Sequence, residues 1–171
     1  MSDCPADDFV IVTDRLTMRP LKVVDADEMA GVLGDPSLHE FTGGTPATVE
    51  ELRRRYARWT AGSESMDESW LNWVVSRKVD SVAVGTVQAT VVGRDATRTA
   101  YIAWTIGRPW QRQGLAGEAA TALVAWLRSR GIKTVVAHVH PDHEASARVA
   151  ARAGLRRTDE MVDGEVVWRA E

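Results

Sequence analysis

The 171 residues include 44% apolar side chains, carry a net charge of -3 and contain one cysteine, Cys4, so the chain can bury the core of one domain without metals and cannot form an internal disulfide. Charges of both signs are mixed along the chain rather than gathered in a basic stripe, which argues against nucleic-acid binding but not against a cationic substrate. The N-terminus lacks the pattern of a signal peptide and no apolar run is long enough to cross a bilayer, so we expect a cytoplasmic protein that does not bind membranes.

The N-terminal part of the chain is predicted to form one strand and two short helices. Residues 11–20 have the composition of a strand. A short helix follows Asp25, and a loop over 36–46 separates it from a second helix. Thr48 is a favourable N-cap for that second helix, whose apolar residues recur at helical spacing.

The rest of the chain predicts an α+β order of elements. Three runs rich in β-branched and aromatic residues, 69–77, 82–92 and 99–107, are typical of an antiparallel meander. Helical periodicity begins at Leu115 and is ended by Gly131. A strand over 133–140, a turn and cap at Pro141 and Asp142, a helix over 145–153 and a hairpin of 156–161 with 166–169 across Asp163 and Gly164 complete the prediction. We expect a single domain over 1–171, with residues 1–10 as a flexible tail.

The turn between the third of these runs and the following helix is the clearest sign of a ligand site. Gly114, Ala116 and Gly117 are small, so they leave the backbone N–H groups of a helix N-terminus open to a diphosphate. Arg112 can add a charge-assisted contact. A tight turn without a ligand is the alternative, and the segment matches neither a P-loop nor a dinucleotide-binding GxGxxG motif.

The spacing of Gln111, Gly114 and Ala116 resembles the motif of the GCN5-related N-acetyltransferases (GNAT), which is Gln or Arg, two residues, Gly, one residue, and Gly or Ala. Other segments are similar to the branch of that family that acetylates the N-termini of ribosomal proteins (RimJ/RimL-like). They are TDRLTMRPL with Asp25 soon after it, Glu118 followed by Ala119, and HPDHEASARVAARAGL. The resemblance extends from about Thr13 to Trp168.

This resemblance implies a GNAT fold, in which a mixed, mostly antiparallel sheet is flanked by helices and opens between 99–106 and 133–140 to hold acetyl-CoA. Members of the family transfer the acetyl group directly to a primary amine, and the resemblance implies that no metal is required. The pantetheine arm is expected to pair with backbone as an added strand would. The implied cofactor contacts are Trp104, Thr105, Ile106, Gln111, Arg112, Gln113, Gly114, Leu115, Ala116, Gly117, His143 and Ser146.

The sequence departs from the family pattern at two positions near the last helix. His143 stands where many relatives hold the Asn that contacts pantetheine, and Ala150 stands where many hold the Tyr that protonates the departing thiolate. The resemblance therefore points to Ser146 as the catalytic proton donor. A purely structural Ser146, in the first turn of a helix, is the alternative.

The acceptor site is less well defined by the sequence. Its candidate residues are His39, Glu40, Tyr101 and Trp104, and Trp59, Trp70, Trp73 and Trp110 are candidates for its mouth. The run 99–106 contains no acidic residue, so no general base is assigned. An α-amino group has a pKa near 8, so it needs less help than a lysine to reach its neutral, reactive form. This favours a peptide N-terminus as the acceptor, with small-molecule amines as the alternative. A homodimer is also compatible with the sequence.

Two other functions fit parts of the sequence. The residues His138, His140, Asp142 and His143 spell the HxHxDH motif of metal-dependent hydrolases, and alternate strand positions place the first two on one face. Such an enzyme needs more histidine ligands, and His39 is the other histidine in the chain. A non-catalytic CoA-binding module is the second alternative, because the missing Asn and Tyr weaken catalysis more than binding.

Overall fold

The computed structural model describes residues 9–94 and 97–171; Cys4 lies outside them. The strands in this part of the chain are β1 (Ile11–Val12), β2 (Leu16–Pro20), β3 (Glu68–Arg77), β4 (Ala83–Val92), β5 (Thr99–Ile106), β6 (Thr134–Val139), β7 (Arg156–Val162) and β8 (Glu165–Ala170). The α-helices are α1 (Ala26–Val32), α2 (Val49–Ala61), α3 (Leu115–Ser129) and α4 (Glu144–Arg152). The strands form one mixed sheet in the order β1-β2-β3-β4-β5-β6-β8-β7.

Several elements confirm the local predictions. Thr48 caps α2 in a reciprocal capping box with Glu51, as its sequence position requires. Strands β3, β4 and β5 pair antiparallel in chain order, which confirms the meander. Asp163 and Gly164 connect β7 to β8, and their φ values are 50° and 83°. A two-residue type I′ hairpin turn needs positive φ at both positions, which confirms the predicted hairpin.

The single strand predicted over 11–20 is wrong. The chain folds back on itself there, so that β1 pairs antiparallel with β2 and Ile11 lies opposite Met18. The Thr13 hydroxyl accepts a hydrogen bond from the Leu16 N–H at 2.9 Å. Side-chain hydroxyls that bond nearby backbone groups stabilise turns, and this one ends the first strand.

The cap predicted for the last helix is also wrong. Helix α4 begins at Glu144, and its N-cap is His143 rather than Asp142. The His143 Nδ1 accepts a long hydrogen bond of 3.4 Å from the Ser146 N–H. The Asp142 N–H donates instead to the Nδ1 of His140 at 3.2 Å, which keeps Asp142 outside the helix.

Helices cover the two faces of the sheet separately. Helices α3 and α4 pack with the main core cluster, which includes Trp73 and Val75 of β3. Helices α1 and α2 pack in a second cluster with Val74, which points to the opposite side of the same strand. We call these the α3 face and the α2 face. Phe9, which was expected in the flexible tail, packs on Trp126, and its carbonyl accepts the Trp73 indole N–H at 2.7 Å; residues 1–8 of that expected tail lie outside the described residues.

The sheet opens between β5 and β6. These strands are parallel, and they pair only from Thr99 with Thr134 to Tyr101 with Val136. Beyond that point both strands continue without pairing, β5 to Ile106 and β6 to Val139. The backbone groups at the end of β5 thus border an opening within the sheet, which confirms the splayed architecture expected from the sequence.

The Asp25 carboxylate should make the stability of the fold depend on pH. It is 7% exposed, accepts two hydrogen bonds from Arg19 at 2.8 and 2.9 Å and one from the Lys22 N–H at 2.7 Å. Burial opposes ionisation, but these donors outweigh it and lower the pKa of Asp25 below its usual 3.8. A lowered folded-state pKa stabilises the protein above the unfolded pKa, and this stabilisation is lost as pH falls through the folded value.

We therefore expect Asp25→Asn to reduce the free energy of unfolding by about 2–3 kcal/mol at pH 7, toward the low end for a buried pair because Arg19 is partly exposed. Chemical denaturation at pH 7 and near pH 3 measures the difference. The difference in the free energy of unfolding between wild type and variant should be smaller near pH 3 than at pH 7. An equal difference at both values would show that the charge of Asp25 does not stabilise the fold.

Candidate active site

A cleft of about 930 Å³ occupies the opening between β5 and β6. It runs through the sheet, so that one end lies near the start of α3 and the other lies on the α2 face. The cleft also receives the segment 37–42, which follows α1. Its lining includes Trp104, Thr105, Ile106, Gln111, Arg112, Gly114, Leu115, Ala116, Gly117, His143 and Ser146, which are all but one of the cofactor contacts predicted from the sequence.

The first end of the cleft is formed by the uncapped N-terminus of α3. Gly114 is the N-cap, has a left-handed backbone with φ of 77°, and makes no capping hydrogen bond. The N–H groups of Leu115, Ala116 and Gly117 belong to the first helical turn and have no acceptor within the helix. They form a site of positive partial charge suited to a phosphate group.

Arg152 of α4 lies directly over this turn. A Cβ atom built on Gly117 would come within 2.6 Å of Arg152 Cδ, and one built on Gly114 would come within 3.4 Å of Arg152 Nη1. In the described part of the chain its guanidinium forms no ion pair. Arg112 and Arg148 also line the cleft. Sequence reasoning missed Arg148 and Arg152, since neither is close to the loop along the chain.

A carboxylate anchors the loop from behind. Glu118 accepts hydrogen bonds from Thr13 Oγ1 at 2.5 Å, the Arg15 N–H at 3.0 Å and Arg15 Nε at 2.7 Å. Burial acts to raise the pKa of Glu118, but the hydrogen bonds and the Arg15 charge prevail and lower it. Arg15 also donates to the Gln113 carbonyl at 3.0 Å. The hairpin of β1 and β2 thereby holds both the loop and the first turn of α3.

Two glutamines of the loop form hydrogen bonds from their side chains to backbone carbonyls of the protein. The Gln111 amide donates to the Ile106 carbonyl at 2.9 Å, which ties the loop to the end of β5. The Gln113 amide points to the Pro109 carbonyl at 3.4 Å, and Gln113 is the predicted cofactor contact that does not line the cleft.

The N-terminus of α4 forms one wall of the cleft. Burial lowers the pKa of His143; the nearby Glu40 charge opposes this and His140 reinforces it, so His143 is neutral near pH 7. Because its Nδ1 accepts the Ser146 N–H, a neutral ring carries its proton on Nε2. Phe41 stacks on the ring at 4.3 Å.

The hydroxyl of Ser146 is available to a ligand. Ser146 lines the cleft, and within residues 9–94 and 97–171 its Oγ has no hydrogen-bond partner. Ala150, at the position where many relatives hold Tyr, is fully buried in the main core and does not line the cleft. Ser146 is thus the one hydroxyl that α4 presents here.

The other end of the cleft lies on the α2 face. Of the predicted acceptor residues, Glu40 lines it, together with Thr86, Gln88 and Glu165, which the sequence did not single out. Trp104 also lines the cleft, but it lies opposite Val87 of the main core and therefore points to the α3 face. His39 does not line it, and its Nδ1 lies 3.3 Å from the Gly43 carbonyl. Tyr101 lies outside it, 43% exposed, with its ring against His138.

The tryptophans predicted at the acceptor mouth have different positions. Trp110 lines the cleft. Trp59 and Trp70 line a smaller cavity beside it. Trp73 is 1% exposed and belongs to the core, so its assignment to the mouth is wrong. It lies three residues from Trp70 on the same strand and therefore points to the opposite face.

The HxHxDH stretch does not form a metal centre in the described residues. No group of three His, Cys, Asp or Glu side chains lies close enough there to hold a metal ion. His140 and His143 use their Nδ1 atoms as acceptors of backbone hydrogen bonds. Over the same residues, no helix is both long and apolar enough to cross a membrane.

Comparison with known proteins identifies the family to which this fold belongs. Residues 15–156 match the profile of the acetyltransferase (GNAT) domain. The uncharacterised N-acetyltransferase p20 of Bacillus licheniformis is 23% identical over 163 residues, which cover 92% of this chain and 90% of that protein. The ribosomal protein uS5-alanine N-acetyltransferase of Escherichia coli (strain K12) is 28% identical over 92 residues, which cover 50% of this chain and 46% of that protein.

A solved structure shows the same fold. The aminoglycoside acetyltransferase AAC(6')-Ib in complex with coenzyme A superposes with a TM-score of 0.73 at 16% identity, covering 91% of this chain and 94% of that one. Other structures of this fold hold acetyl-CoA. The chain belongs to the GNAT acetyltransferase family, which confirms the resemblance seen in its motifs. It is an acyltransferase of that family.

Proposed function

We propose that this protein transfers an acetyl group directly from acetyl-CoA to the α-amino group of a peptide or protein N-terminus. The observation that carries the proposal is the cleft through the sheet, which joins a phosphate-binding end at α3 to an open acceptor end on the α2 face. Such a cleft lets the cofactor and the amine approach the same point from opposite sides.

The cofactor is held chiefly by backbone groups and arginines. Its pyrophosphate lies on the first-turn N–H groups of α3, with Arg112 and Arg152 close enough to neutralise its charge. Its pantetheine arm lies along the unpaired end of β5 and hydrogen-bonds to backbone near Trp104 and Thr105, as an added strand would. This places the thioester near Ser146, between the two ends of the cleft.

The amine attacks the thioester carbonyl, a tetrahedral intermediate forms, and its collapse expels the thiolate of CoA. Ser146 Oγ–H donates a hydrogen bond to that thiolate, or passes its proton to the sulfur while it takes up the proton that the attacking amine loses, so that no serine alkoxide is left. When the hydroxyl only hydrogen-bonds, the amine loses this proton to solvent or to a cleft residue. An α-amino group with a pKa near 8 is neutral in roughly a tenth of molecules at pH 7, so attack proceeds without a strong base.

The choice of a peptide acceptor rests on chemistry and on one relative. Strand β5 carries no carboxylate, and Glu40 and Glu165 reach the acceptor end from other elements; an α-amino group needs less help from such weak bases than a lysine-like amine does. The relative from Escherichia coli acts on the alanine of a ribosomal protein, which is the branch suggested by the motifs. Small-molecule amines are the second candidate, because the fold is shared with an aminoglycoside acetyltransferase.

Two measurements test the proposal. Acetyl-CoA at about 100 times its dissociation constant should raise the free energy of unfolding by roughly 2.7 kcal/mol, seen as a rise in melting temperature without added metal. Thiol release with a panel of peptide N-termini and small amines then measures transfer. A thermal shift without turnover on any amine would instead identify a CoA-binding module, and no shift at millimolar acetyl-CoA would overturn cofactor binding.

A further inference from the structure

A small cavity lies beside the acceptor end of the cleft. It has a volume of about 90 Å³ and is lined by Trp59, Trp70, Asn72, Gln88, Ala89 and Thr90. Gln88 also lines the main cleft, so the two spaces share a wall. The cavity therefore adjoins the acceptor end across Gln88.

The sheet itself forms the floor of this cavity. Asn72 pairs with Gln88, and Gln88 pairs with Ala103, so these residues lie in one row across β3, β4 and β5. Trp70, Thr90 and Tyr101 form the next row. Both rows belong to the α2 face, since side chains at alternate positions of a strand share a face. The floor runs without a break from the cleft to the indole of Trp70.

The walls of the cavity suit an apolar side chain flanked by peptide groups. The indole of Trp59 lies above the floor on α2, where it stacks on Tyr56 at 5.6 Å. The indole N–H of Trp70 is already bonded to Glu68, which leaves its ring to make apolar contacts. The amides of Asn72 and Gln88 can hydrogen-bond to a peptide backbone.

The position of the cavity sets which residue of an acceptor would reach it. Strands lie about 4.8 Å apart, so the middle of β3 and β4 is roughly 12 Å from the opening beside β5. An extended peptide advances about 3.4 Å per residue. A peptide whose first amine lies in the opening therefore reaches the cavity with its third or fourth residue.

We propose that the cavity between Trp59 and Trp70 is a distal acceptor subsite that binds an apolar side chain at the third or fourth position of the peptide being acetylated. The subsite rests on the proposed function, because it needs a peptide whose N-terminus occupies the cleft. It gives the enzyme selectivity for sequence beyond the residue that is modified.

The test compares peptides that share the sequence Ala-Gly and carry either Leu-Leu or Gly-Gly at the next two positions, with the dipeptide Ala-Gly amide as a short reference. Burial of one leucine side chain predicts a roughly tenfold higher kcat/KM for the Leu-Leu peptide with the wild-type enzyme. Trp59→Ala and Trp70→Ala should abolish this preference and leave the dipeptide unaffected. Trp70→Phe, which keeps an aromatic wall, should retain most of it.

Trp168→Ala is the matched control, because Trp168 is a half-buried tryptophan that packs on the α3 face, and it should keep the preference. Thermal melting checks that every variant is folded. Equal kcat/KM for the Leu-Leu and Gly-Gly peptides with wild-type enzyme would overturn the subsite while transfer to peptides stands. Binding of acetyl-CoA without transfer to any of the three peptides would overturn the peptide acceptor, and with it the subsite.

Discussion

Gly114→Val is expected to weaken acetyl-CoA binding by at least about 100-fold in a protein that still folds. Gly114 has a left-handed backbone and no side chain between the solvent and the first turn of α3. A branched side chain would stand where the pyrophosphate approaches and would press on Arg152, whose Nη1 lies 3.4 Å from a Cβ at this position. Losing two charge-assisted hydrogen bonds at about 1.5 kcal/mol each accounts for a loss of this size.

Isothermal titration with acetyl-CoA measures this loss, and Gly131→Val is the matched control. Gly131 has a similar φ of 78° and lies just beyond the other end of the same helix, about 22 Å away. Both variants should lose a comparable amount of stability from backbone strain. Wild-type affinity in folded Gly114→Val would mean that the cofactor does not use this turn.

Ser146→Ala is expected to lower kcat by about 100-fold, with little change in the affinity for acetyl-CoA. General acid catalysis contributes about 10²- to 10⁴-fold. The low end applies here because a thiol with a pKa of about 8.5 is already a fair leaving group. The substitution keeps the backbone N–H that donates to His143, so the start of α4 should be preserved.

The hydroxyl matters to turnover and not to ground-state binding, so the defect should appear in kcat rather than in cofactor affinity. Single-turnover kinetics with an accepted amine measures it. Ser129→Ala, at the remote end of α3, should have wild-type kcat. Full kcat in Ser146→Ala would make Ser146 structural, and the Nε2–H of His143 would become the better candidate for the proton donor.

Local signals in the sequence were sufficient for most elements. The capping box at Thr48 and Glu51, the Asp163–Gly164 turn and the small residues of the loop at Gly114 each act within a few residues, so their conformation is specified where they stand. The same is true of the motif that indicates the family. Errors arose where a side chain decided between two local structures, as when the Thr13 hydroxyl ended β1.

The assembly of the site could not be read from the sequence because its parts are brought together only by folding. Alternation along β3 places Trp70 and Trp73 on opposite faces, but nothing in that strand shows which face is covered by α3 and which borders the acceptor end. Packing decided this, since burying Trp73 in the larger core removes more apolar surface from water.

The sequence by itself determined the family, the order of helices and strands and the loop that is expected to bind the cofactor, because these depend on short-range patterns. Only the tertiary structure decided which charges surround that loop. Arg15, Gly114 and Arg152 are far apart along the chain, and the Arg15 and Arg152 guanidinium groups meet at Gly114 because the β1–β2 hairpin and α4 both pack against the start of α3. Contacts between residues so distant in sequence depend on the packing of whole elements, which no local pattern encodes.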